Sequence, residues 1–594
     1  MVIINNYSEE ILIILRSTLF SVPLVVITKK TVAGRFSAFL QGSLMLILLV
    51  FTNTHARGQG NSFTVDTVTT LVDGLLAPYN QMEPGDTLYL EAGIRRLIRI
   101  KNLSGSSSKP IIIINHNGEV VFDSDYTYGI SILNCNYIRI TGTGYPGVFY
   151  GISIIRVTNG SGIGMGGLTS DYEIDHISIE NCKSVGIFAK TDPDCSFLST
   201  RDKFTQFNTL IHDNYIANTG TEAMYIGSTM YYGQKISCNG TDTLLLPSLL
   251  DGVKVYNNRI EYSGWDGIQV SSASKNCQIF NNEIFYSSQA EYYGQMSGIT
   301  NGGGSKCDCY NNLISQGKGM GIENFGLGGN KIFNNIIIDA GKNFFPADTS
   351  RQVHGIFVTD LSTMADSSYY IFNNDIINPK SDGIRFQSDK SRGNIIASNL
   401  IVNPGNFDHY ENLRNSFKGV DSYLMIPSSA AEVLAVNNYF TRSLDSARIS
   451  STDYIPRPGS PLINSGWPGS TGIHFDFLGK PRQIGMAPEI GALEFDPETV
   501  GFYKTHAERK NKSTVYPNPA RGITTISYKF SGAGRATIMI TDLQGHILIQ
   551  KEDEYLPDGQ NKVQIDASNL KNGLYLYFIK RGAESLSGKL LKVN

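Results

Sequence analysis

Seven short phrases carry most of the side chains that could do chemistry. They run Gly or Ala, then Ile or Met, then three variable residues, and begin at Gly186, Ala223, Gly267, Gly298, Gly321, Gly355 and Gly383. The third residues are, in turn, Phe188, Tyr225, Gln269, Thr300, Glu323, Phe357 and Arg385. The residues just before each phrase are Val185, Glu222, Asp266, Ser297, Met320, His354 and Asp382. With the Ile inward, strand alternation sends the third and fifth residues outward. Stacked phrases then make two columns side by side on one face. Glu222 and Asp266, on neighbouring strands, come within about 5 Å and share a proton or hold a cation such as calcium. His354 and Asp382 are neighbours, which holds an imidazole in one tautomer. Glu323 and Arg385 stand two strands apart in one column, and Lys190 lies on an earlier strand. Lys190, Glu323, His354 and Arg385 are therefore candidate catalytic residues. Tyr225, Gln269, Phe357 and Asp382 are candidate substrate-binding residues, and Glu222 and Asp266 candidate metal ligands. The competing reading of each is plain solvated surface.

A second phrase must position these columns. Aromatic-Asn-Asn-x-Ile reads Tyr256-Asn257-Asn258-Arg259-Ile260 and returns from Phe280, Tyr310, Phe333 and Phe372. Weaker copies start at His212, Ala397 and Val436. The second Asn falls at 258, 282, 312, 335, 374 and 399, in steps of 24, 30, 23, 39 and 25. A unit of this length, lengthened by occasional loops, marks a solenoid. Apolar residues alternate around each phrase, as in Val253, Val255 and Ile260, so the unit is made of strands. Asn tolerates the left-handed backbone of a sharp corner, and its amide bonds to the same amide one coil away, about 4.8 Å on. The phrase resembles the pectate-lyase-like right-handed parallel β-helix superfamily over roughly residues 61–500. That fold carries lyases, hydrolases, adhesins and inert stalks.

Within that resemblance the columns admit several chemistries. A uronate lyase needs a cation to neutralise the substrate carboxylate and a base to take the adjacent carbon-bound proton. Arg385 or calcium would do the first, Lys190 or His354 the second. A glycoside hydrolase needs two carboxylates about 5–9 Å apart, and Glu222 and Asp266 supply them. The Asn-x-Asp, Asp-Asp, Gly-His-Gly and Arg-x-Lys set of polygalacturonase-like hydrolases is not found. The expected function is a polysaccharide lyase acting on acidic glycans; a non-catalytic surface glycan binder, a hydrolase and a structural stalk remain open.

The totals agree with a secreted β protein. The 594 residues include 60 Gly, 10% aromatics and only 17% charged residues, with a net charge of −3. Near-neutral charge argues against nucleic acid. A surface of Asn, Ser, Thr and Tyr suits sugars, whose hydroxyls want amides and whose ring faces want aromatics. Arg35, the apolar run Leu44–Phe51 and Thr54-His55-Ala56 form a charged region, a core and a cleavage site, so residues 1–60 read as a leader for export. Seven cysteines pass an oxidising compartment. Cys195 and Cys238, in the insertions near 191–206 and 228–250, are expected to pair. Cys277 and Cys307, in like positions of successive coils, are expected as a buried thiol stack. With the insertion near 341–353, these loops are expected to wall a cleft.

Both ends of the solenoid are marked. Ser460-Pro461-Leu462-Ile463-Asn464-Ser465-Gly466, Gly479-Lys480-Pro481-Arg482 and Glu489-Ile490-Gly491-Ala492-Leu493-Glu494 resemble the terminal segment of bacterial secreted β-helices. Residues 61–455 are read as the β-helix, 456–500 as a segment covering its last coil, and 501–513 as a linker. Residues 514–594 carry Tyr516-Pro517-Asn518-Pro519, Asp542-Leu543-Gln544-Gly545, Leu570-Lys571-Asn572-Gly573-Leu574-Tyr575 and Lys589 to Val593. This resembles the C-terminal sorting domain of the type IX secretion system of Bacteroidetes. The resemblance implies a small β-sandwich, the type IX machinery as partner, and export across the outer membrane to the medium or cell surface. The whole is expected as an all-β monomer.

Overall fold

The computed structural model describes residues 6, 7, 10, 11 and 60–594, except 147, 346–350, 406–422, 429, 452, 470, 497–512, 519, 531–534, 542–546, 553–558, 582–583 and 593–594. The Asn-Asn phrase makes the corner it was expected to make. Its first residue takes left-handed backbone at Asp213, Asn257, Asn281, Asn311, Asn334, Asn373, Ser398 and Asn437, with φ from 50° to 57°. The second Asn turns inward. Its Nδ2 donates to Oδ1 one coil on, at 2.9–3.1 Å, from Asn214 through Asn258, Asn282, Asn312, Asn335, Asn374 and Asn399 to Asn438. The same amides donate to backbone carbonyls, as Asn312 does to Ile279 and Tyr310. A corner that would bury unsatisfied backbone is thus satisfied from within.

Each coil contributes one strand to each of three parallel faces of a right-handed β-helix. In one coil these are Lys254–Tyr256, Arg259–Ser263 and Ile268–Val270. Register is constant, so like stacks on like. Ile260, Ile284, Ile314, Ile337, Ile376 and Ile401 pair in sequence and are buried. His212, Tyr256, Phe280, Tyr310 and Phe333 stack at 4.5–5.0 Å. One apolar core runs inside the solenoid from Val65 to Tyr423, and its burial is the main stabilising term.

Cys195 and Cys238 are bonded, as expected, and pin the hairpin Gln234–Cys238 and Thr241–Leu245. Cys277 and Cys307 are bonded as well, which corrects the thiol stack. The parallel ladder brings these paired residues to a Cα–Cα distance of 4.4 Å, within reach of a bond. Cys135, Cys182 and Cys309 are buried thiols.

The terminal segment also departs from expectation. It does not simply close the last coil but runs back along the flank of the second face. Arg482 bonds Asn334 and Glu494, the Glu489 carbonyl accepts from Asn373, and the Gly491 N–H reaches the Ser398 carbonyl. Ala492 and Leu493 pack on Leu313 and Ile336. The outward residues of that face are apolar there, and the segment covers them.

The C-terminal domain is two antiparallel sheets, of three and four strands, around Ile526, Tyr528, Ile538, Ile540, Tyr577 and Leu590. Residues 1–59 are a separate unit, in which Asn6–Tyr7 pairs with Glu10–Ile11. The expected leader around Arg35–Ala56 and residues 501–512 of the expected linker 501–513 lie outside the described residues, and Ser513 begins the strand Ser513–Tyr516 instead. No helix among the described residues is long and apolar enough to cross a membrane.

Candidate functional site

The third face forms the expected column. Phe188, Tyr225, Gln269, Thr300, Glu323, Phe357 and Arg385 pair in unbroken register. The preceding residues align beside it. Gly186 N–H bonds the Glu222 carbonyl, Ala223 that of Asp266, Gly267 that of Ser297, Gly321 that of His354 and Gly355 that of Asp382.

The columns point outward, yet much of their length is covered. Glu222 is 2% exposed, Asp266 1%, Gln269 2%, His354 2% and Asp382 0%. Two loops make the roof. Residues 287–296 lie over the middle, where Gln269 Nε2 donates to Gln295 Oε1 at 3.3 Å. Phe344 and Val353, from the insertion near 341–353, pack on Met296 and Met320, with Phe357 against them. The first loop was missed from sequence, although the 30-residue step between Asn282 and Asn312, against 24 for the coil before, marks it.

Three groups result. At the first, Lys190 Nζ lies 3.0 Å from Asp192 Oδ1 and donates to the Tyr225 hydroxyl at 3.4 Å. It also sits over the Phe188 and Tyr225 rings, at 5.3 and 4.6 Å. Burial pushes the Glu222 carboxyl up, against the charge of Lys190.

The second group is the most unusual electrostatically. Neither oxygen of Asp266 makes a hydrogen bond of full geometry, although the Thr300 hydroxyl and the Ser297 N–H stand beside the carboxyl and favour its charged form. Burial, then the charges of Glu323 and Glu222, push its carboxyl well above the usual range. Burial raises Glu323 to about 7, against a 3.2 Å hydrogen bond from Ser297 Oγ to its Oε2. Ser297 follows Asp266 in its column, so this bond turns the Glu323 carboxyl back toward Asp266, whose charge it opposes. Gln269 Oε1 is likewise buried and without a partner.

In the third group Asp382 Oδ2 lies 3.1 Å from both His354 Nδ1 and Arg385 Nη1. The Asp382 backbone N–H donates to the same Nδ1 at 3.2 Å. The backbone N–H wants the Nδ1 lone pair and the carboxylate wants an Nδ1 proton, so these contacts fix the position of the ring and not its tautomer. Phe357 stands between Glu323 and Arg385 in the column. The structure therefore brings together Glu222, Asp266 and Glu323, separately His354, Asp382 and Arg385, and separately Lys190 and Tyr225. Ser297 and Thr300, which order the carboxylates, were only column members in the sequence.

A further cluster lies on another face. Glu173, Asp175 and His212 place ligand atoms within 4.8 Å of one another. Arg139 Nε already occupies both carboxylates, at 3.0 and 2.8 Å, and His176 adds a 2.6 Å contact to Asp175. It is a closed ion-pair network.

Residues 514–593 match the secretion system C-terminal sorting domain. The chain carries a type IX secretion tail. It is exported across the outer membrane, to the medium or the cell surface. Among solved structures the chain is similar to pectate lyase Pel9A, with 13% identity, 73% of this chain and 97% of that one covered, and a TM-score of 0.31. It is similar to a PL6 family polysaccharide lyase from Pseudopedobacter saltans, with 13% identity, 71% and 99% covered, and a TM-score of 0.28. It is also similar to the enzymatically active domain of bacteriophage CBA120 tailspike protein 4, with 13% identity, 81% and 60% covered, and a TM-score of 0.26. No curated protein matches the chain.

Proposed function

We propose that this exported β-helix cleaves an acidic polysaccharide laid along its third face, as a lyase with Glu323 handling the proton. The supporting observation is the Glu323 carboxyl, raised to about 7 by burial and fixed by Ser297 beside the buried Asp266. A proton-transfer group works best with a pKa near the operating pH, and groups so perturbed cluster at functional sites. Lys190 and Arg385, on either side, offer cations to the carboxylates of the polymer. Tyr225 and Phe357 offer ring faces, Gln269 an amide, and His354 an imidazole held in place by Asp382.

Calcium is the cation proposed for this cluster. Glu222, Asp266 and Glu323 do not bring three ligand oxygens within 4.8 Å of one another, so the ion would rest on Glu222 and Asp266 with Gln269 Oε1, which has no partner. Such a set suits a hard cation. Glu222 and Asp266 would hold the ion, which supplies charge to neutralise a substrate carboxylate.

One observation favours a second reading, glycoside hydrolysis. Glu323 exerts the largest charge effect on the Asp266 carboxyl, and a hydrolase needs two carboxyls in one site. The test is to incubate the secreted protein with acidic and neutral polysaccharides, with calcium and then with chelator. Absorbance of unsaturated ends is expected on one acidic polymer, falling by roughly 10²–10⁴ in Glu323→Gln. Reducing ends without that absorbance would convert the reading to hydrolysis. Silence on every polymer would sink catalysis and leave a glycan-binding protein.

A further inference from the structure

The corner after the second face is also left-handed, and most coils place a residue there that tolerates it. These are Asn181, Asn218, Asp339, Asn378 and Asn403, with φ from 50° to 55°, while one coil places Gln316 there at 58°. Two consecutive coils instead place tyrosines, Tyr262 at φ 56° and Tyr286 at φ 54°. A bulky residue is disfavoured in that region, and such strain is kept where function uses it. Burial does not explain the choice, since Tyr262 is 44% exposed.

The two tyrosines lie on each other, with centroids 4.7 Å apart and planes 5° apart. Beside them Trp265 stacks on Tyr292 at 4.7 Å and 15°, and Tyr292 is 56% exposed. The polar edges of these four rings make no hydrogen bond among the described residues. Trp265 directly precedes Asp266, and Tyr292 belongs to the loop whose Gln295 holds Gln269. The rings therefore adjoin the acidic column.

We infer that Tyr262, Tyr286, Trp265 and Tyr292 form a sugar-stacking subsite that receives the pyranose faces of the polymer as it leaves the acidic column. This rests on the polysaccharide reading above. Flat apolar rings with a free polar edge match a sugar, which has one apolar face and a rim of hydroxyls.

The double variant Tyr262→Asn and Tyr286→Asn puts at both corners the residue that other coils use, so the fold keeps its turn. It is made in the full chain, in a Glu323→Gln background that spares the polymer. Affinity electrophoresis in polygalacturonate, alginate, chondroitin sulfate and xylan gels reads binding, and thermal unfolding reads stability. The expected result is binding weakened on the order of tenfold, with an unfolding midpoint unchanged or raised. Unchanged binding overturns the subsite. A lowered midpoint with the lost binding overturns it too, and assigns the rings to packing. Should the parent protein bind none of the four gels, the polysaccharide reading falls and takes the subsite with it. Should the parent bind while the unmutated chain cleaves nothing, the subsite stands and only the cleavage reading falls.

Discussion

Glu323 should weaken the fold that holds it, and by an amount that depends on pH. Its carboxyl rises from an ordinary 4.5 to about 7 because burial disfavours the charged form. The folded chain thus holds this proton more tightly than the unfolded chain. Stability from it is full below the unfolded value and drains away as pH climbs through the folded one. The difference corresponds to at most about 3 kcal/mol above pH 7. Glu323→Gln keeps an oxygen for the Ser297 hydroxyl and has no proton to lose. It should match the parent near pH 4 and exceed it by about 2–3 kcal/mol near pH 8. Trp265, next to Asp266, reports local unfolding once Trp467→Phe removes the other tryptophan. Denaturant titrations across that pH range give the comparison. Calcium bound among the carboxylates should stabilise the parent and shrink the gap. Parallel stability curves for parent and variant, or a variant less stable at high pH, would refute the reasoning.

Two further predictions concern the scaffold. Asn312→Ala strips the Asn282 N–H of its acceptor and the Ile279 and Tyr310 carbonyls of a donor. At about 1–3 kcal/mol for each buried group left unmade, a loss of ~3 kcal/mol or more is expected. Asn438→Ala, at the part-buried end of the same ladder, should lose markedly less; equal losses in denaturant titrations would argue against the ladder. Arg482→Met removes the cation bonded to Glu494, near Asp375, Asp476 and Glu489. A cost of about 3–5 kcal/mol is expected near neutral pH. Burial holds Asp375 and Glu489 at about 7, so both take up protons in acid and the cost should shrink there. Limited proteolysis of residues 456–496 at two pH values measures it.

Much of this architecture could be read from the residues because a solenoid repeats its constraints. The first Asn of each phrase must make a left-handed corner and the second must face its copy one coil away. The third-face columns followed, because register never slips between Phe188 and Arg385. What escaped is whatever has no period. The 287–296 loop follows from its path alone, and the insertion near 341–353, expected as a cleft wall, sets Phe344 and Val353 on Met296 and Met320, so the expected cleft is largely covered. Arg482 meets Asn334 across 148 residues, a pairing no spacing announces. Like positions for Cys277 and Cys307 were visible, but bond and thiol stack share that spacing and differ only in how closely the strands approach.

The asparagine ladder also gives the solenoid an electrical sense. All seven amide-to-amide bonds run the same way, from the Nδ2 of one coil to the Oδ1 of the next. The side-chain dipoles therefore add head to tail, and each polarises its neighbour. At the early end the Asn214 oxygen is taken by the Ile177 N–H. At the far end Asn438 gives one hydrogen to the Ile396 carbonyl and has no further asparagine to face. The axis is thereby positive toward its last coils and negative toward its first, so the interior of this nearly neutral molecule distinguishes one direction along its length from the other.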